Sequence, residues 1–313
     1  MKIVFVGNHE VSYSSETHHC NSLEALGHEV IRLQEGEVKG EQILDVAMDA
    51  DCLVFVHTHG WITKGIDLSI VLRLLNKAGV PTLTYHLDLW LGLERQKDLD
   101  NDPFYRNIGH FFATDKLMAD WFNNNTSVKG HFIPAGVYHA ECEMLPPQDV
   151  PYDIIFVGSK GYHPEYPYRP QLINWLKATY GARFLHVGGD GDTGTKRGKE
   201  LNQIYANSKI AIGDTLNIGF NYPHYSSDRL FESTGRGGFT IYPRIKGLDK
   251  YFVDKKEIAF YEHGNLNDLA DKIDYYLDNN EEREAIRKAG HERTKLEHTY
   301  TKRWQQILKE IDL

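Results

Sequence analysis

Short apolar runs alternate along the chain with stretches in which apolar residues recur every three or four positions. Residues 3–6, 29–33, 52–56, 80–85 and 111–113 are brief and rich in β-branched or aromatic side chains, as expected of strands buried on both faces. Between them, the stretch ending at Leu26-Gly27 and residues 42–48, 66–78 and 116–122 read as helices. Gly27 and Gly79 are natural helix stops. Residues 134–151 break this rhythm with Pro134, Gly136, Pro146, Pro147 and Pro151 and read as a joint between domains. The rhythm then restarts. Strands are expected at residues 153–157, 183–187, 210–212 and 239–242, and helices at 172–179, 200–207 and 228–236. Leu266, Leu269, Ala270, Ile273 and Leu277 lie at helical spacing, and two more helices fill 281–295 and 301–311.

Alternation of strand and helix predicts parallel sheets with helices on both faces. The expected architecture is α/β, two Rossmann-like parallel-sheet domains facing a central cleft. The first covers residues 1–135, residues 136–151 form a linker, and the second covers 152–295. Open parallel sheets bind ligands at the carboxyl ends of their strands, so such a cleft suits two substrates, one per domain.

Composition narrows the field. A chain of 313 residues corresponds to about two domains, and 41% hydrophobic with 25% charged residues excludes a disordered chain, a collagen-like repeat and a coiled coil. The formal charge of −9 weighs against a polyanionic partner, because phosphate backbones attract clustered Lys and Arg. No apolar run is long enough to span a membrane, and the first apolar run, too short for a signal-peptide core, reads as a strand. Cys20, Cys52 and Cys142 are odd in number and widely spaced, which makes neither a disulfide framework nor a zinc set and suits a reducing cytoplasm. The 16 histidines are scattered, and most are expected to be ordinary surface or core residues.

Several segments carry a family resemblance. Residues 18–30 (HHCNSLEALGHEV) resemble the first helix and second strand of GT-B glycosyltransferases. Residues 226–252, with Ser227, Arg229, Phe231, Glu232 and Gly237 in an S-x-R-x-F-E-x-x-x-x-G core, resemble the donor-site region of the spore-maturation-type and group 1 glycosyltransferases. Residues 265–304 look like that family's closing helices. Residues 85–96 with 102–115 resemble a subset of these enzymes that includes bacteriophage-encoded ones. The resemblance implies a GT-B glycosyltransferase moving a sugar from a nucleotide diphosphate donor, a UDP-sugar, to an acceptor hydroxyl. It implies no cofactor and no divalent metal, with the nucleotide-sugar as a substrate. It also implies that residues 296–313 return to the N-terminal domain, where Trp304 braces it. The acceptor stays open among a saccharide, a lipid-linked sugar, a protein side chain and a hydroxylated DNA base. A DNA acceptor would need Arg73, Lys77, Arg95 and Lys97 to form a groove; the same residues also suit a solvated face.

Residue types then suggest roles. Ser226, Ser227 and Asp228 open a helix whose unpaired amides form an anion site. Arg229, Glu232 and Arg236 share a face at helical spacing, and Phe231 points into the core. Ser226, Ser227 and Arg229 suit a diphosphate, where leaving-group charge develops. The resemblance assigns the ribose hydroxyls to Glu232. Related retaining enzymes carry a second Glu eight residues earlier, where this chain has His224; His224 is either a sugar ligand or a loop histidine. Gly158, Ser159 and Lys160 follow a strand, and Lys160 and Arg169 can reach phosphate or be surface bases. Gly188, Gly189 and Asp190 also follow a strand and suit a base-and-ribose loop. Asp190-Gly191-Asp192 spells D-x-D, the metal motif of the GT-A fold, but Asp98-Leu99-Asp100 and Asp100-Asn101-Asp102 spell it too. Asp214 follows another strand and is placed near the nucleobase.

In the N-terminal half, Asn8 and His9, then His57-Thr58-His59-Gly60-Trp61, then His86-Leu87-Asp88-Leu89-Trp90 end three strands. Asp88 and His59 are the candidate bases for an acceptor hydroxyl. Asn8, His9, Trp61, His86 and Trp90 are candidate acceptor contacts, with the tryptophans either stacking on a sugar or filling the core. His57 and His59 also match a metal pair without a third ligand nearby; the plainer alternative has His57 buried and His59 capping a loop. Two readings from other classes fit the same outline: a non-catalytic two-domain nucleotide or sugar binding protein, and a UDP-sugar epimerase.

Overall fold

The computed structural model describes residues 1–58, 60–148, 152–161, 165–215, 217 and 222–313. The chain divides into two compact units. Unit 1 comprises Met1–Pro134 with Tyr300–Leu313, and unit 2 comprises Ala135–Thr299.

Unit 1 is built on six parallel strands: β1 (Lys2–Gly7), β2 (Glu29–Gln34), β3 (Cys52–Phe55), β4 (Thr82–His86), β5 (His110–Ala113) and β6 (Lys129–Phe132). Their order is β2-β1-β3-β4-β5-β6. Helices α1 (Ser15–Ala25), α2 (Gly40–Ala47), α3 (Leu68–Ala78), α4 (Asp98–Asn101), α5 (Phe104–Asn107) and α6 (Lys116–Asn125) connect them. Local chemistry sets the helix ends. Ser14, Asp67 and Asp115 accept the amides of Thr17, Ser69 and Leu117 and so cap α1, α3 and α6, each satisfying an orphan donor. Gly79 closes α3 in the left-handed conformation. Every residue of β3 is buried, as a central parallel strand requires.

Helix α12 (Tyr300–Glu310) is part of unit 1. Trp304 is fully buried there, its indole N–H donating to His19 Nδ1 at 3.2 Å and its ring meeting Phe5 and Tyr85 edge-on. Arg303 Nε donates to the Pro134 carbonyl at 2.8 Å.

Unit 2 has five parallel strands: β7 (Tyr152–Val157), β8 (Phe184–Val187), β9 (Ser208–Ile212), β10 (Thr240–Pro243) and β11 (Ala259–Tyr261), in the order β11-β10-β9-β7-β8. Its helices are α7 (Tyr168–Tyr180), α8 (Gly198–Ala206), α9 (Arg229–Gly235), α10 (Leu266–Asp278) and α11 (Asn280–Glu297). Gly290 allows α11 to pass close to the Glu257 carbonyl, which a Cβ would approach to 2.2 Å. The Thr234 and Thr294 hydroxyls then meet at 2.7 Å.

The stretch expected as a linker differs from that expectation. Its described part belongs to unit 2. Val137 donates to the His298 carbonyl, Asn202 donates to the carbonyls of Glu141 and Glu143, and Glu141 pairs with the buried Arg236. The prolines prevent regular structure without preventing packing.

Both sheets share one topology. The first strand of each unit lies between the second and third, so successive connections leave in opposite directions at β1/β3 and at β7/β9. Ligands of open α/β sheets bind at such switch points, outside the strands' carboxyl ends. No helix among the described residues is long and apolar enough to cross a membrane.

Candidate functional site

The unit 2 switch point is organised by Arg229. Its Nε donates to the Val157 carbonyl at the end of β7, and its Nη1 to the Asp214 carbonyl beyond β9, at 3.4 Å. Its guanidinium lies 5.3 Å from the centre of the Phe156 ring. Gly158 follows at φ +134°, and a Cβ there would sit 2.2 Å from Arg229 Nη2. Only glycine allows both the backbone angle and the close approach. Nη2 has no bonding partner among the described residues, which leaves it as a cationic donor at the strand ends.

The Asp214 side chain faces inward. It is fully buried, with Tyr166 donating to Oδ1 at 3.0 Å and Arg169 Nε to Oδ2 at 2.9 Å. Arg169, 3% exposed, also donates to the Ser159 carbonyl. The expectation of a phosphate contact from Arg169 and a ligand contact from the Asp214 carboxylate is therefore corrected. The pair is an internal brace, since a buried guanidinium needs a carboxylate partner. Lys160 stays on the surface, its Nζ donating to Asn174 Oδ1 at 2.6 Å.

The D-x-D carboxylates, both exposed, brace their own loop. The Asp190 carboxylate accepts the backbone amides of Lys160 at 2.9 Å and Gly161 at 3.3 Å. Asp192 accepts the His186 amide at 2.9 Å and pairs with Lys177 at 2.7 Å. Among the described residues no group of three or more His, Cys, Asp or Glu is arranged to hold a metal ion. The Gly189 backbone sits in this loop.

Ser227 Oγ donates to the Asp214 carbonyl at 3.3 Å, and the buried Ser226 Oγ has no partner among the described residues. The helix begins at Arg229, after the expected Asp228. Glu232, 30% exposed, lies 3.9 Å from Arg236. Arg236 itself is buried against Glu141 and Asn202, so it does not share the exposed face of Arg229 and Glu232. His224 has a positive φ of 69° and packs its ring on Gly247. The structure thus brings Gly158, Ser159, Ser227, Arg229 and the Asp214 backbone together. Lys160 and Asp190 form an adjoining loop.

In unit 1 the expected residues also lie at strand ends. His9 donates its amide to Gln34 Oε1, and the Asn8 carbonyl accepts Ser14 Oγ. Asn8 Oδ1 and His9 Nδ1 are buried without partners among the described residues. His86 stacks on Phe111, and burial pushes its ring down to about 4, so it is neutral. Trp90 is buried and covered by Arg95, which pairs with Asp88 at 3.4 Å. Trp61 lies over Gly36, where a Cβ would meet its ring at 3.2 Å. His59 lies outside the described residues.

One arrangement escaped the sequence. His57, 3% exposed, is held between Glu35 at Nδ1 and Asp102 at Nε2, the latter at 2.8 Å. Burial lowers its pKa, but hydrogen bonds and charge from Asp102 and Glu35 outweigh this and raise it to about 9. Glu35 also accepts the Thr58 amide, and Asp102 the Phe104 amide. His57 is thus an imidazolium clamp that ties the end of β2 to the α4–α5 segment. Its only sequence signal is that each member follows a strand or opens a short helix.

Residues 169–309 match a family model described as glycosyl transferase-like. No curated protein matches the chain in sequence. Among solved structures, HepE of Anabaena in complex with UDP and glucose aligns with a TM-score of 0.66 at 12% identity, covering 100% of this chain and 99% of that one. An alpha-glucosyltransferase in complex with UDP and a 13-mer DNA containing an HMU base aligns at 0.68 and 10% identity, covering 100% of both chains. Sucrose-phosphate synthase from Thermosynechococcus elongatus aligns at 0.61 and 12% identity, covering 99% of both.

The fold is GT-B.

At these identities the likeness is one of fold. It extends over the whole chain, and the glycosyl transferase-like signature occupies the GT-B chain from the start of α7 to the last turn of α12.

Proposed function

We propose that the protein is a metal-independent glycosyltransferase that moves a hexosyl or pentosyl group from a UDP-sugar to an acceptor hydroxyl. The observation that carries this reading is the Arg229 fork, fixed on the carbonyls of Val157 and Asp214 beside Gly158 at the unit 2 switch point. Arg229 lies inside the segment that matches the glycosyl transferase-like model, and inside the stretch that resembles the spore-maturation-type donor region. Held this way, Nη2 is preorganised to meet diphosphate charge as the leaving group departs, the most effective place for a donor. Lys160 adds a second cation and Ser226 Oγ a free hydroxyl. Glu232 accepts the ribose hydroxyls, and Gly189 and Asp190 shape the base loop. HepE and the alpha-glucosyltransferase, both solved with UDP, support uridine as the base.

Unit 1 takes the acceptor, with Asn8, His9, Trp61, His86 and Trp90 at its strand ends. Asp88 is the candidate base, and His59 enters from the sequence alone. An Asp88→Asn variant is expected to lose at least about a hundredfold in kcat with nucleotide binding intact; near-normal turnover removes Asp88 from the role. The three buried, unpaired cysteines suit a reducing cytoplasm.

The test is thermal-shift binding of UDP, GDP, ADP, CDP and dTDP to the wild type and to Glu232→Ala. At 100 times its dissociation constant a ligand adds about 2.7 kcal/mol. Selective stabilisation by UDP, lost in the variant, is expected. No shift with any diphosphate overturns the donor site.

A further inference from the structure

The unit 1 switch point, between β1 and β3, carries a different chemistry from that of unit 2. Glu35 continues β2 past the end of β1, donating its amide to the Gly7 carbonyl, and reaches His57 and Thr58 beyond β3. Glu16, in the first turn of α1, lies against Gly7, where a Cβ would sit 2.8 Å from its Cγ. Burial pushes its carboxyl above the usual range, and the Glu35 charge adds to this. Asp102 completes the group on His57, with its side chain 33% exposed. Two carboxylates thus bracket one imidazolium, and Glu16 stands close enough to feel the charge of Glu35.

The neighbouring arginines and lysine each have another carboxylate partner. Arg95 pairs with Asp88, Lys97 with Glu94, and Arg106 with Asp100. A groove in which Arg95 and Lys97 receive a phosphate backbone would have to break these pairs. Polar atoms also stand unpartnered beside the cluster. Among the described residues the buried Tyr105 hydroxyl and His86 Nε2 have no hydrogen-bond partner. The Tyr105 ring lies 6.0 Å from His57 and 6.3 Å from His86, and the charges that act on its hydroxyl are those of Asp102, Asp98 and Glu35, opposed by Arg95. Buried polar groups in folded proteins are rarely left unbonded, so these two point to a hydrogen-bonding occupant. Trp61, laid over Gly36 next to Glu35, supplies a flat apolar wall.

We propose that this crevice binds an uncharged polyhydroxyl acceptor, a saccharide, and discriminates against anionic acceptors. Asp102 and Glu16 accept sugar hydroxyls, and Trp61 packs on the apolar face of the ring. Glu35, fully buried, acts through its charge and through its hold on His57. Rejection is by like charge, an efficient way to separate ligands of similar shape. The inference rests on the glycosyltransferase reading only for its word acceptor; the ligand class follows from the cluster.

The test is UDP release from UDP-glucose with maltose, cellobiose and lactose as uncharged acceptors. Glucose 6-phosphate, glucuronic acid and a duplex carrying 5-hydroxymethylcytosine are the anionic ones. Saccharide binding is measured in parallel by ligand-observed NMR without donor. An uncharged saccharide is expected to bind and to stimulate release, with kcat/KM at least about tenfold above the best anion. The Glu35→Gln/Asp102→Asn variant should narrow that gap to within about threefold, its fold checked by an unchanged UDP thermal shift. Should that variant not fold, Trp61→Ala is expected to lose saccharide binding and keep the UDP shift. The inference is overturned if the duplex or an anionic sugar is the better acceptor, or if the gap survives charge removal. It is also overturned if UDP binds while no saccharide binds or reacts. Absence of UDP binding sinks the glycosyltransferase reading alone, because NMR then still decides which ligand class unit 1 takes.

Discussion

His57 shows how a single side chain couples charge to stability. Its pKa is about 9 in the fold against an ordinary 6.5, so the folded state holds the proton more tightly than the unfolded chain. That contribution is fully present below about pH 6.5 and is lost as pH rises through about 9. Its upper bound is about 3 kcal/mol. Denaturant unfolding between pH 6 and 10 should therefore show the wild type losing stability with pH. A His57→Gln variant should start lower and respond less across that window; equal slopes would remove the clamp. Gly158 gives a second test. Alanine there needs a disfavoured φ and collides with Arg229, so Gly158→Ala is expected to weaken UDP binding at least about tenfold in calorimetry. The two residues differ in how far the sequence revealed them. Gly158 was visible because a glycine after a strand has a local meaning. His57 drew notice only as half of an H-x-H pair, because its partners lie 22 and 45 residues away.

Among elements, long and strongly periodic segments and the edge strands β2 and β8 were readable, whereas the edge strands β6 and β11 were not. Strand β3 announces itself as an unbroken apolar run, whereas β6 and β11 are too short and mixed to show a period. Edge strand β6 is defined by its neighbours. Asn123 on α6 exchanges hydrogen bonds with both the Gly130 carbonyl and amide, at 2.8 and 2.9 Å, covering the open edge as a partner strand would. Replacing it by alanine is expected to cost about 1–2 kcal/mol, readable in a thermal melt. Helix α12 is held by Trp304, buried among His19, Phe5 and Tyr85. Trp304→Ala should destabilise unit 1 by about 3–5 kcal/mol, and urea denaturation checks it; a loss under 1 kcal/mol would mean the helix is held by other contacts.

Across the whole molecule, two units of like topology carry opposite chemistry at equivalent places. At the β7/β9 switch point Arg229 presents a donor that no carboxylate among the described residues pairs with, while at β1/β3 Glu35 and Asp102 flank His57. Hydrogen exchange should report this division. UDP is expected to protect residues 158–161, 188–191 and 226–232, and a saccharide to protect the segments around Glu35 and Asp102. Protection by UDP confined to unit 1 would reverse the assignment of substrates to units. The α/β class, the punctuation by Gly and Pro and the S-x-R-x-F-E segment were determined by sequence alone, because each depends on residues within a few positions of one another. Tertiary structure decided the strand order, the inward turn of Asp214 and Arg169 and the meeting of Glu35, His57 and Asp102. Those depend on which strands lie side by side, and burial of both sheet faces, acting over the whole chain at once, sets that.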